Sequence, residues 1–195
     1  MAYKNLLQPV RMESQFVDTK LFTVFYQTGT TPANAEVLDG TIVVLGDFVA
    51  DPVYTARYTA HTATLAPTEL NTRQAVIAVS TDSDVCVIDL ATVATKTGGT
   101  GTIRDGYTTI GLAADAGVPV RARELVKNDV FVTAEDNVTS ALTVGQYATV
   151  SVGQWAPSST AITGGATCCQ VVDKYVISQG ITNGVTAYRL LVKTN

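Results

Sequence analysis

Thirty threonines and 27 valines among 195 residues constrain this chain more than any other feature. Both side chains branch at Cβ, which stiffens χ1 and favours the pleated surface of a strand over the crowded surface of a helix. The spacing of the apolar residues carries the same message. Phe16, Phe22, Val24 and Tyr26 fall at even intervals, the period that turns one face of a strand toward a core. Residues 41–49, 74–80, 84–94, 107–113, 128–134, 146–152, 169–177 and 185–193 alternate in the same way. Turn pairs stand between these segments: Asp39-Gly40, Gly98-Gly99, Asp105-Gly106, Gly164-Gly165 and Asn183-Gly184. Each supplies residues that tolerate positive φ. The pattern predicts an all-β fold, a β-sandwich or β-barrel of about ten strands. Two stretches, Leu6–Met12 (interrupted by Pro9) and Val120–Val126, are the only helix candidates, and neither sustains a 3.6-residue period.

An extended arm is expected over residues 1–15, followed by an N-terminal β module at 16–96 and a C-terminal one at 97–195, the last two as separate modules or one continuous domain. The Gly/Thr-rich stretch 95–106 is a long hairpin tip or the boundary between modules. Its glycines, Gly98, Gly99 and Gly101, lack the lysine and the following helix that make a loop bind phosphate. Residues 37–44, 125–132 and 142–149 echo one another: an apolar start, a Gly or Asn three residues on, then a strand. Such a turn needs φ > 0 at the Gly or Asn. The echo marks either duplicated modules or a shared way of entering strands.

Composition excludes several roles. Charged residues make up 15% of the chain and the net charge is −4, so a nucleic-acid surface is not expected. The longest uninterrupted aliphatic run is Ala75–Val79, far short of the roughly 20 residues a membrane helix needs. Residues 1–13 hold no apolar signal core, and the expectation is a soluble protein made in the cytoplasm. Without a secretory signal, the glycosylation motif Asn137-Val138-Thr139 carries no weight. Cys86, Cys168 and Cys169 make an odd set in apolar β segments, where thiols are neutral and pack as small hydrophobes.

Candidate chemistry is sparse. His61 is the single histidine, which removes His-based metal sites and leaves no Ser-His-Asp elbow around it. Asp82 and Asp84, with Asp89 nearby, are the densest carboxylates, but the Gly and Glu of a calcium loop are missing. Glu135, Asp136 and Asn137 read as a polar turn. No enzyme activity, metal or cofactor is expected. Arg121 and Arg123 share a face if their segment is extended, serving a solvated face or a salt bridge between subunits. Trp155 follows Gly153-Gln154 where a strand gives way to a loop. There it either closes an end of the β core or anchors a contact.

In its Thr/Val/Gly/Ala-rich, charge-poor composition and in the run LTVGQYATVSVGQW (residues 142–155), the chain resembles head decoration (cement) proteins of tailed bacteriophages. Residues 117–132 are similar to the segment that precedes such a strand in those proteins, and the likeness spans residues 100–193. The β-rich N-terminal half has no counterpart there. The resemblance implies a virion structural protein that contacts the major capsid protein, copies of itself as a homo-oligomer, or both. Contact residues would be Tyr3, Leu6, Leu7 and Val10 on the arm, with Arg121, Arg123 and Trp155. The rival expectation is a carbohydrate-binding β module of a tail or fibre, using Trp155 with Tyr54 and Tyr58.

Overall fold

A computed structural model describes residues 21–28, 33–48, 72–89, 113–114, 116–117, 119–162, 164–177 and 185–195. Thirteen strands run through them: β1 Leu21–Thr28, β2 Ala33–Asn34, β3 Val37–Leu38, β4 Ile42–Phe48, β5 Thr72–Ile77, β6 Cys86–Asp89, β7 Ala113–Ala114, β8 Val120–Glu124, β9 Val130–Ala134, β10 Tyr147–Ser151, β11 Gln154–Ser158, β12 Cys168–Ile177 and β13 Val185–Thr194. Among the described residues the only helical element is a 3₁₀ turn, Glu135–Asn137. No described helix is long and apolar enough to cross a membrane. The arm, Phe16, the Leu6–Met12 helix candidate, His61, Tyr54, Tyr58, most of 107–113, the glycines of 95–106 and Asn183-Gly184 all lie outside the described residues.

The fold is all-β. Strands β1, β5, β4, β6 and β8 follow one another around a closed five-stranded barrel, with β8 returning to β1. Every pair in that ring is antiparallel except β1 with β5. Strands β11, β10, β12, β13 and β9 form a second, open antiparallel sheet in that order. The short pair β3–β7 brings Val37 and Ala114 into the barrel core.

The chain passes from barrel to open sheet between Glu124 and Val130. Strand β8 lies beyond the 96/97 boundary read from the sequence, yet it pairs with β1 and β6. Val120–Glu124 is also a strand and not the helix offered as a candidate. Its Val-Arg-Ala-Arg alternation buries Val120 and Ala122 inside the barrel and turns both arginines outward, an economy a helix of that sequence could not reproduce.

Two cores result, and the alternation in β4 and β6 divides them. Val43 and Leu45 face the barrel interior with Val24, Tyr26, Ala75, Cys86, Ile88 and Ala122. Ile42, Val44, Val85 and Val87 face the other way, against Phe131, Leu142, Val150, Trp155, Val171, Tyr188 and Leu190 of the open sheet. Along β4 and the start of β6 the barrel wall is therefore apolar on both faces, and the two sheets share one seam.

Hydrogen bonds close that seam. Ile42 N–H donates to Gly153 O at 3.0 Å, and Gly153 N–H donates to Ala78 O at 2.9 Å. Gly153 has φ +74, and a Cβ there would meet Ile42 O only at ordinary contact distance, 3.5 Å, so it is the conformation that calls for glycine. The Asn137 amide donates to Gly40 O and to Thr133 Oγ1. The side chain of Asn195 acts as a clasp. Its Oδ1 accepts from Val85 N–H at 2.9 Å and from Thr167 Oγ1 at 2.6 Å, and its Nδ2 donates to the carbonyls of Val85 and Leu125. Asn195→Ala strands these partly buried groups, and we expect a loss of about 2 kcal/mol in urea unfolding. A loss under about 0.5 kcal/mol would mean that water replaces the amide.

The three echoing segments are one structure used three times. Gly40, Asn128 and Gly145 have φ of 79°, 76° and 87°. Their N–H groups donate to Ile88, Val192 and Val171, whose own N–H groups donate back to the carbonyl of the next residue, Thr41, Asp129 or Gln146, at 2.8–2.9 Å. Two residues thus oppose one, a G1-type bulge that delivers the chain into β4, β9 and β10. In all three the side chain that follows also closes the turn: Thr41 Oγ1 donates to Leu38 O, Asp129 Oδ2 accepts from Val126 N–H, and Gln146 Oε1 from Thr143 N–H.

Candidate functional site

Among the described residues, those singled out by sequence do not converge on one place. Arg121 and Arg123 leave β8 on the outer barrel face, where the register sets Arg121 opposite Asp89 of β6. Arg123 Nη2 donates to Asp89 Oδ2 at 3.2 Å, and Arg121 Nη2 lies 4.0 Å from the same oxygen. Their salt bridge is therefore within the chain, where an inter-subunit bridge had been one expectation. Asp89, the last residue of β6, is 1% exposed. Its burial is tolerable because two guanidinium groups stand against it.

Trp155 overturns the expectation of a loop residue on offer to a partner. It lies on β11, opposite Val150 of β10, is 0% exposed, and packs on Phe131 with ring centroids 5.6 Å apart. The physical reason is the hairpin before it. Strands β10 and β11 are joined by Val152-Gly153 alone, with φ of 45° and 74°. Residues at both centres of such a turn take positive φ, a position for Asn, Asp or Gly, so the valine hides the turn from a sequence reader. The strand resumes at Gln154 and its alternation points Trp155 into the seam.

The cysteines are all free and buried. Burial, with Cys168 beside it, pushes the Cys169 thiol well above its ordinary pKa, which leaves it protonated and a poor nucleophile. Asp82 Oδ2 accepts from Val79 N–H at 2.7 Å, closing a local turn. Among the described residues no three His, Cys, Asp or Glu side chains group to hold a metal. Asn137, read as part of a polar turn, is the buried strut described above, for which the sequence held no signal.

What the surface does offer is apolar. Val152 is 66% exposed and Val79 43%, and the backbone bond from Gly153 to Ala78 brings their neighbours together. They flank the outer end of the seam. At the barrel end where β1 begins, β4 finishes and β5 starts: Thr23 pairs with Thr72, and Phe48 with Arg73. Leu21, Phe48 and Thr72 therefore stand at one end of the barrel.

No protein-family model matches this chain, and no curated protein or solved structure matches it.

Proposed function

We propose that this chain is a non-enzymatic structural subunit of a virus particle, decorating or cementing a bacteriophage capsid through contacts with the shell and with its own copies. Val152 carries this reading. A β-branched residue at φ 45° is a backbone outlier, and holding it in the left-handed region costs about 1–2 kcal/mol. Two-thirds of the residue is exposed, so packing among the described residues offsets little of that cost. A strained, outward apolar tip beside a second exposed valine is what a contact surface requires. Weak contacts of this size suffice on a symmetric shell, where repetition multiplies them. The carbohydrate-binding alternative loses its lead residue, since a buried indole cannot stack on a sugar.

Val152→Asn tests the reading, because asparagine accepts the turn and removes the apolar tip. The variant should melt a few degrees higher than the parent chain, in line with relief of about 1 kcal/mol, while its binding to shells assembled without the protein falls at least tenfold. Undiminished binding would remove Val152 from the contact. Removing residues 1–13 in the same assay reads the arm, and full occupancy without them would exclude it.

A further inference from the structure

The hairpin of β12 and β13 outruns its neighbours. Strand β10 pairs with β12 at Cys168, Cys169 and Gln170, and the turn before β10 reaches Val171, whereas β12 continues to Ile177. Among the described residues, the stretch from Val172 to Ile177 has β13 on one side and no strand on the other.

The register says which peptide groups face that open side. Val192 directs both its groups away from β12: its N–H donates to Asp129 O, and its C=O accepts from Asn128 N–H, each at 2.9 Å. Alternation gives Leu190, Tyr188 and Thr186 the same direction. Lys174 stands opposite Tyr188, and Val176 opposite Thr186, so the N–H and C=O of Lys174 and Val176 point out of the sheet edge. One of those donors is engaged locally, as Lys174 N–H donates to Asp173 Oδ1 at 2.8 Å. The Lys174 ammonium sits 5.5 Å from the centroid of the Tyr188 ring. Val176 beside it is 63% exposed.

An open edge with exposed valines is a template for the same edge of a second copy. Antiparallel pairing must set outward residues against outward residues. One register places Lys174 opposite Lys174 of a second copy, with like charges face to face. A second places Lys174 opposite Val176 and covers an ammonium with an apolar side chain. Both must first displace the Asp173 carboxylate from the Lys174 N–H. The irregularity between Val171 and Asp173 further twists the strand away from a flat partner.

We propose that Asp173 and Lys174 form a guard pair that stops the five-stranded sheet from growing across the β12 edge, so that copies of this chain meet through other surfaces. The excluded occupant is the β12 edge of a second copy.

Light scattering on purified full-length chains tests this, with far-UV circular dichroism showing that each variant is folded. D173T/K174T removes both charges while retaining strand-forming residues, and its mass should be at least twice that of the parent chain at equal concentration. K174E leaves like charges at the edge and should keep the parent mass. D173T/K174T/V176K sets a new charge on the outward position next along the edge and should return to the parent mass, a rescue that misfolding would not give. An unchanged mass for D173T/K174T overturns the proposal. So does association of K174E as strong as that of D173T/K174T, or failure of the added lysine to reverse it.

Discussion

Trp155→Ala lowers the unfolding free energy by about 3–5 kcal/mol, read as a fall in the urea midpoint at unchanged slope. Trp155 is 0% exposed and belongs to the seam core, with Phe131 on one side and barrel residues such as Ile42 and Val87 in the same cluster. Truncation leaves a cavity between two sheets whose backbones are already tied by the bonds at Gly153 and Asn195, so neither sheet can close over it freely. Against a total of about 5–15 kcal/mol for a domain, the loss takes a large share of the stability and lowers barrel and sheet together. Trp155→Phe should lose less than half as much. Among the described residues the indole Nε1 has no hydrogen-bond partner, so phenylalanine gives up volume and no bond there. A loss below about 1 kcal/mol for the alanine variant, well short of the range for buried aromatic truncation, would return Trp155 to the surface and reopen a stacking role for it.

Asp89→Ala is the second large effect, with an expected loss of about 3 kcal/mol. The carboxylate is buried between two guanidinium groups, and removing it takes away the charge they share. The Arg121 and Arg123 side chains keep 31% and 24% of their exposure, so water recovers part of the penalty and the lower end of the range for broken buried pairs applies. A double-mutant cycle with Arg123→Met isolates the pair: the second substitution should cost little once Asp89 is gone. If the two losses add in full, the 3.2 Å contact contributes nothing and the destabilisation comes from elsewhere on β6.

Strand positions were legible because alternation is local. Ile42–Phe48, Val130–Ala134, Tyr147–Ser151, Cys168–Ile177 and Val185–Thr194 lie within a residue or two of where period two sets them. The three bulged turns were legible for the same reason, since Gly40, Asn128 and Gly145 declare positive φ by their identity alone. Legibility failed where a residue broke its own preference. Val152 occupies a turn position that valine disfavours, and with that turn hidden, Trp155 was assigned to a loop. Val120–Glu124 is too short for its period to separate a strand from a turn and a half of helix, and its two arginines share a face only when the segment is extended.

The amino-acid sequence by itself determined that this chain makes strands, where most of them lie, and which turns enter them, because β-branching, period-two spacing and positive-φ residues act over a few neighbours. Only the tertiary structure decided that β1 runs parallel to β5, that β8 returns to close the barrel, and that Ile42 faces the open sheet while Val43 faces the barrel. It alone buried Trp155 and set Asp89 against two arginines. Those outcomes depend on pairings between residues far apart in the chain: burial is the sum of contacts from both sheets, and no local pattern contains that sum.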